Sequence, residues 1–172
     1  MCFRTFRRRL EAEASRISYI PSLIAAGICI ALAIIVSVTG KSGYYKLLYV
    51  LPRGTPSFLF RAFLEGVFYA VLGFSLGAFL FCKQICDRLF YWQTAFLFVC
   101  AIFFSYARTI AVYQAGALFF GLLYAVLTLL CLCLLFFALK ETCFLFAFCV
   151  FFCFLLSFFP VYHTLTIFLL NA

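Results

Sequence analysis

Residues 51–77 read "LPRGTPSFLFRAFLEGVFYAVLGFSLG", and this segment indicates the class of protein. After a start broken by two prolines, the apolar part continues over residues 58–81 and carries only two charges, Arg61 and Glu65. An α-helix rises about 1.5 Å per residue, so this run is long enough to cross a hydrocarbon core about 30 Å thick. We therefore predict that residues 58–81 form a membrane-spanning helix.

The rest of the chain has the same character. Of its 172 residues, 69% are hydrophobic and 10% are charged, and the mean hydropathy is +1.22. Too few polar residues are available to cover the surface of a soluble domain of this length. We predict an all-α integral membrane protein, in which one membrane domain spans residues 1–172 and further helices cover residues 17–38, 89–107, 115–139 and 143–170.

The basic residues indicate the orientation of the chain. Residues 1–16 are rich in arginine and form a predicted cytoplasmic N-terminus, because cytoplasmic segments of membrane proteins carry an excess of Lys and Arg. With five spans, eight of the 13 Lys and Arg residues fall on the same side of the membrane as the N-terminus. Five fall on the opposite side, namely Lys41, Lys46, Arg53, Arg61 and Arg108. The net charge is +8, but no basic patch is interleaved with aromatics, so we expect no nucleic-acid partner.

The ten cysteines are interpreted as packing residues. Most of them lie inside apolar runs, where a thiol behaves as a small hydrophobe. The spacings "CKQIC" and "CLC" differ from the CxxC pattern, and no histidine accompanies them, so no metal site is expected. The sequence also contains no arrangement of nucleophile and base and no phosphate-binding loop, so we predict no catalytic residue and no enzyme.

Arg61 and Glu65 are the first candidate site residues. They are four positions apart, so they share a helix face and can form an ion pair. A charge at the centre of a bilayer costs about 2.5–3.5 kcal/mol, and ionisable residues in this position often have a function. Two interpretations stay open: the pair anchors the end of the helix, or it forms the polar wall of a cavity below the first loop.

The first loop is either an ordinary connector or a cover over the bundle, stiffened by Pro52 and Pro56.

Two other patterns invite a functional interpretation. Gly66, Gly73 and Gly77 predict a small-residue face on the second helix that packs closely against a neighbour, which is either another helix of the chain or a second protomer in a homodimer. His163 is the only histidine and follows Pro160, where a kink is expected. We interpret it as an interfacial residue, with an axial haem ligand as the alternative.

The order "YYKLLYVLPRGTPSFLF", residues 44–60, followed by "FYAVLG", residues 68–73, is the pattern of a known family. The positions that fit its motifs in the first loop and in helices two, three and five are Tyr45, Leu48, Thr55, Pro56, Phe58, Phe60, Tyr69, Gly73, Gln93, Leu97, Cys100, Phe103, Phe104, Pro160, Thr164, Leu170 and Asn171. By these motifs the sequence resembles the TspO/MBR family of tryptophan-rich sensory proteins and translocator proteins. The likeness covers most of the chain, although the tryptophans of the family motifs are replaced and the only tryptophan is Trp92.

The resemblance implies a function. Members of this family have five transmembrane helices and are thought to bind porphyrins, haem-like tetrapyrroles or sterols in a pocket between the helices, closed by the first loop. By this resemblance the protein requires no cofactor and binds a planar hydrophobic ligand, with Arg61 pairing with a propionate and Glu65 orienting the polar groups. Aromatic faces would stack on the ligand. The remaining predicted ligand-binding residues are Phe58, Phe60, Phe68, Tyr69, Gln93, Cys100 and Thr164.

Two alternatives remain beside ligand binding. A small transporter or transporter subunit is suggested by the charges of Arg61 and Glu65 at depth, although no internal repeat is visible. A membrane adaptor without catalytic activity is suggested by the glycine face of the second helix.

Overall fold

The computed structural model describes residues 18–45, 50, 55, 57–82, 88–140 and 144–171, and for residues 39–45 it describes the backbone only. The described residues contain no strand. Every helix is long and apolar enough to cross a membrane, which confirms the prediction of an all-α bundle of five membrane helices. Numbered in chain order, the helices are α1 (Tyr19–Tyr45), α2 (Phe58–Leu80), α3 (Arg88–Tyr113), α4 (Leu118–Leu139) and α5 (Phe144–Asn171).

The outer surface of the bundle is apolar on all five helices. Side chains such as Ile20, Leu59, Trp92, Phe119 and Leu169 are each more than half exposed. In water such a surface would be an extended hydrophobic patch, whereas in a bilayer it is the surface that contacts acyl chains. The chain is therefore a multi-pass integral membrane protein.

The helices are arranged as a closed ring. α1 packs against α2 and α3, α4 packs between α3 and α5, and α5 returns to α2. A further contact between α2 and α3 crosses the interior.

One end of the bundle is called the loop-one end below. At this end α2 and α4 begin, and α1, α3 and α5 end. The Pro52–Pro56 segment is almost entirely outside the described residues, as is the predicted cytoplasmic segment 1–16.

The turn between α3 and α4 differs from the prediction. Helix α3 continues to Tyr113, six residues past the predicted end, and α4 begins at Leu118 rather than at residue 115. The turn depends on Gly116, whose φ of 66° lies in the left-handed region that glycine adopts without strain. The amide of Ala117 then donates to the carbonyl of Ala111 at 2.9 Å, which closes the end of α3. The bounds of α2 and α5 lie within one residue of those predicted.

The small-residue face of α2 packs on α1 of the same chain. A Cβ added at Gly73 would lie 2.8 Å from both Cβ and Sγ of Cys29, and one added at Gly77 would lie 2.8 Å from Cα of Ser22. At Gly66 an added Cβ would meet nothing within 4 Å. The neighbour that sequence analysis left open is therefore internal for Gly73 and Gly77, and these two glycines are not available for an adaptor interface.

The buried hydroxyl groups of the bundle are mostly satisfied within their own helix. Each donates to the backbone carbonyl four residues earlier, at 2.7–2.9 Å. Such back-bonding allows a hydroxyl to lie in hydrocarbon without a partner on another helix. The residues concerned are Ser22, Ser75, Thr128, Ser157 and Thr164.

The last residue of α5 holds the chain that leads into α2. The amide of Val50 donates to Oδ1 of Asn171 at 2.8 Å, and Nδ2 of Asn171 donates to the carbonyls of Val50 at 3.0 Å and Ile167 at 2.8 Å. One side-chain amide thus satisfies both backbone groups of Val50, although Val50 is 64% exposed. This contact fixes one point of loop one on the C-terminus of α5.

We expect Asn171→Ala to raise the hydrogen-exchange rate of the Val50 amide about tenfold, because one net hydrogen bond of about 1.4 kcal/mol is lost. Exchange mass spectrometry of the protein in nanodiscs measures this rate. The neighbouring substitution Leu170→Ala is the control, since the side chain of Leu170 is exposed. An equal exchange rate in both variants would show that Asn171 does not hold the loop.

Candidate functional site

A buried ion pair between two helices lies near the loop-one end. Nη2 of Arg108 on α3 donates to Oε1 of Glu65 on α2 at 2.9 Å, and the two side chains are 3% and 7% exposed. The same Nη2 lies 3.2 Å from Oγ1 of Thr109. Glu65 therefore takes its ion pair from Arg108, and the expected pair of Glu65 with Arg61 on the same helix is wrong. The cross-helix pair connects α2 to α3 through the interior.

Arg61 instead stacks on an aromatic ring of α3. Its guanidinium carbon lies 3.9 Å from the centre of the Tyr113 ring and 5.6 Å from that of the Phe58 ring. Arginine is stabilised over aromatic faces, more strongly where water is excluded, and Arg61 is buried. The Tyr113 hydroxyl shares a hydrogen bond of 3.1 Å with Nδ1 of His163 on α5. Arg61, Tyr113 and His163 thus join three helices at the loop-one end.

His163 is buried within the bundle. Its side chain is on α5 beside Tyr113, and the residue is 6% exposed. Helix α5 continues on both sides of Pro160 and ends at Asn171, eight residues after His163. The end of the helix is therefore about 12 Å farther along the axis.

Two buried nitrogen atoms at the site have no hydrogen-bond partner among the described residues. They are Nη1 of Arg108 and Nε2 of His163, and both residues are at least 94% buried. In most proteins the great majority of buried polar atoms are paired, and an unpaired donor in a low-dielectric interior is costly. This part of the interior is therefore suited to a group that accepts hydrogen bonds.

A cavity of about 30 Å³ lies against the side chain of Arg108. That volume is enough for one or two water molecules or for the head of a carboxylate. Its polar lining residues are Arg61, Glu65, Ser105, Arg108, Thr128 and Ser157, and its apolar lining residues are Leu64, Phe68, Ala125, Leu156, Phe159, Pro160 and Val161. Among the described residues, the lining therefore combines two positive charges and one negative charge with seven apolar side chains.

Two stacked tyrosines support the site from α2 and α3. The rings of Tyr69 and Tyr106 are parallel within 6°, with centres 4.4 Å apart. The Tyr69 hydroxyl donates to Oγ of Ser105 at 2.9 Å, and the Tyr106 hydroxyl donates to the carbonyl of Cys29 at 2.9 Å. These contacts fix α1, α2 and α3 relative to one another, and Ser105 in turn lines the cavity.

Of the nine predicted ligand-binding residues, Arg61, Glu65 and Phe68 line the cavity. Phe58 lies beside Arg61, and Phe60 is half exposed, with the centre of its ring 6.0 Å from that of Phe159. Tyr69 and Thr164 are buried nearby but do not line the cavity. Thr164 uses its hydroxyl on the carbonyl of Pro160.

The structure does not bring Gln93 or Cys100 to this site. Gln93 is exposed in the second turn of α3, and its Cα is about 22 Å along the helix axis from that of Arg108. Cys100 packs against the hydrophobic core. Both residues were placed by resemblance to a motif on the third helix, and the inward-facing residues of α3 at the site are Ser105 and Arg108 instead.

Arg108, Ser105 and Tyr113 are the site residues that sequence reasoning missed. The segment "RTIAVYQ" after residue 107 is assigned to the loop before the fourth predicted helix because of its polar residues. Its small and apolar residues nevertheless continue a helical pattern, and the first strong stop signal is Gly116. With the helix extended to that point, Arg108 falls one turn beyond Ser105 on the inward face of α3.

A second and larger hollow, of about 390 Å³, lies on the outside of the bundle between α3 and α4. Its lining is apolar and aromatic and includes Phe103, Tyr106, Phe120 and Tyr124. None of the described residues that line it is charged. It offers space for acyl chains but no group that would bind an anion.

Compared with known proteins, the chain matches no protein-family model, and no curated protein is similar to it at a significant level. The likeness to the TspO/MBR family therefore depends on the motifs quoted above.

Proposed function

We propose that this membrane protein binds a hydrophobic molecule through an anionic group, which occupies the cavity beside Arg108, in a sensory or transport-related role. The observation that carries the proposal is the buried guanidinium of Arg108. Its Nη2 donates a hydrogen bond to Glu65, and its Nη1 has no hydrogen-bond partner among the described residues. The side chain also lines a cavity. An oxyanion in that cavity would accept a charge-assisted hydrogen bond from Nη1.

The charges around the cavity support an anion as the ligand. The charged side chains in its lining are Arg61, Arg108 and Glu65, so the lining carries more positive than negative charge. Hydrocarbon surrounds the bundle, and electrostatic attraction in such a medium is much stronger than in water. A neutral sterol hydroxyl could accept a hydrogen bond here, whereas a carboxylate would also gain the attraction between opposite charges.

A tetrapyrrole fits this proposal only in part. A porphyrin propionate is a carboxylate of suitable size, but pockets that bury a drug-sized ligand measure about 300–1,000 Å³, and the cavity is about 30 Å³. The macrocycle therefore does not fit beside Arg108 with the helices in these positions. Only a propionate would enter, and the ring would remain outside the interior.

Binding of the anion can be tested with protoporphyrin and its dimethyl ester, using fluorescence quenching of the purified protein. We expect the diacid to bind about 10- to 100-fold more tightly than the ester, since a hydrogen bond to a charged group contributes about 1.5–3 kcal/mol. The double variant Glu65→Gln/Arg108→Gln is expected to lose this difference.

Arg88→Gln is the matched control, because Arg88 is an exposed arginine on the same helix. It is expected to keep the preference for the diacid. Equal affinity of the wild-type protein for acid and ester, or no saturable binding of either, would rule out this proposal for tetrapyrroles.

A further inference from the structure

Among the described residues, the partly exposed part of the lining of the cavity beside Arg108 comes from two helices. Its lining residues on α3 and α4 are all buried. The partly exposed ones are on α2 and α5, namely Leu64, Leu156, Phe159, Pro160 and Val161. We call the line between Leu64 on α2 and Leu156, Phe159 and Pro160 on α5 the α2–α5 seam.

The α2–α5 seam opens into hydrocarbon and not into water. Leu64 is about 9 Å along the axis from the start of α2, and Pro160 is about 16 Å from the end of α5. The four seam residues are all apolar, and the ring of one of them, Phe159, packs edge to face on the Phe60 ring, with the ring centres 6.0 Å apart. A molecule that reaches Arg108 by this route therefore comes sideways from the lipid.

The size of the cavity limits which part of the ligand can enter. A volume of about 30 Å³ accepts an anionic head and little else. The rest of the molecule must pass between α2 and α5 and remain in the bilayer. A narrow, flexible apolar body such as a single acyl chain meets this requirement, whereas the broad, rigid edge of a macrocycle would need the two helices to separate.

We infer that the ligand is a long-chain fatty acid or a similar single-chain anionic amphiphile, whose carboxylate pairs with Arg108 while its chain lies in the α2–α5 seam. This inference rests on the proposed function, because it specifies the ligand of the same cavity. It differs from the tetrapyrrole form of that proposal in the shape of the apolar part and in the lateral route of access.

A photoreactive fatty acid with a diazirine on its chain tests the inference in nanodiscs, with the labelled residues identified by mass spectrometry. We expect labelling to concentrate on α2 and α5 at the seam. Unlabelled oleate should compete at least about tenfold better than methyl oleate, which lacks the charge. Acetate, which has the charge without the chain, should compete poorly.

Leu64→Trp fills the seam. It should lower about tenfold the part of the labelling at the seam that unlabelled oleate displaces. Leu59→Trp is its matched control, because Leu59 lies on the same helix, is 78% exposed and does not line the cavity. It should label like the wild-type protein. Labelling spread evenly over all lipid-facing helices, or concentrated in the hollow between α3 and α4, would overturn the inference.

The two proposals fail in different ways. If protoporphyrin binds in a manner that depends on its free acid and on Arg108, but oleate does not compete at the seam, the acyl-chain inference is wrong and the proposed function stands. If neither acid is preferred over its ester, both are wrong. If oleate is preferred and Leu64→Trp blocks it, both are supported and the macrocycle is the weaker ligand.

Discussion

Arg108→Gln is expected to lower the free energy of unfolding of the bundle by about 3–5 kcal/mol, because it leaves the Glu65 carboxylate buried without its counterion. In a bilayer the effect is reinforced by the high cost of a charge in hydrocarbon. Unfolding in mixed micelles or bicelles with increasing denaturing detergent, followed by circular dichroism, measures the change.

The double variant Glu65→Gln/Arg108→Gln tests whether the loss of stability comes from the unpaired Glu65 carboxylate or from any substitution at this position of α3. It removes both charges and should recover most of the lost stability. Replacing a buried ion pair with uncharged groups often leaves the free energy of unfolding nearly unchanged. Arg88→Gln should change stability by no more than about 0.5 kcal/mol, since Arg88 is exposed. A double variant as unstable as Arg108→Gln alone would mean that the ion pair does not account for the loss.

Gly77→Ala is expected to destabilise the contact between α1 and α2 by about 1–3 kcal/mol, as overpacking does in tightly packed cores. The added methyl would lie 2.8 Å from Cα of Ser22 and from Cβ of Ala25, and 3.0 Å from the carbonyl oxygen of Pro21. Two of these neighbours are backbone atoms, so α1 itself must move. The same unfolding measurement detects the loss.

The control for this substitution is Gly66→Ala on the same helix, where the added methyl meets nothing within 4 Å. It should stabilise the protein by about 0.5–1 kcal/mol, because alanine restricts the unfolded backbone more than glycine does. If the two variants shifted stability in the same direction, close packing of Gly77 on α1 would not be an energetic feature of the bundle.

The fold class could be predicted because hydrocarbon imposes simple requirements. A spanning segment must be apolar and long, and its backbone must satisfy its own hydrogen bonds, so five apolar runs imply five helices. The bounds of α3 and α4 were harder to predict, because "SYARTIAVYQAG" contains polar residues that suit a loop. Ser105, Arg108 and Thr109 are nevertheless buried in the interior, where Arg108 has a partner, and only Gly116 requires the turn.

The site residues on α2 could be predicted from the sequence, but their partners on the other helices could not. Arg61, Glu65 and Phe68 share one face by helical periodicity alone, and all three line the cavity. The partner of Glu65 could not be found in this way, because the rotation and height of α3 relative to α2 follow from packing. That packing depends on particular contacts such as the stacking of Tyr69 on Tyr106, which no spacing in the sequence indicates.

Burial of Arg61 and Arg108 also bears on the predicted orientation. Both were counted as loop cations on the side opposite the N-terminus, yet both are buried side chains within helices that could span the membrane. Cations inside a span do not count toward the charge bias of the loops. The prediction of a cytoplasmic N-terminus then depends on eight basic residues against Lys41, Lys46 and Arg53.

The cross-helix ion pair has a consequence for biogenesis. Ser75, Thr128 and Ser157 donate to carbonyls of their own helices, so these groups are already satisfied when each segment leaves the ribosome. Glu65 is different, because Arg108 is synthesised 43 residues later. The segment that carries Glu65 is therefore made without its counterion, and the ion pair forms only after α3 has been synthesised.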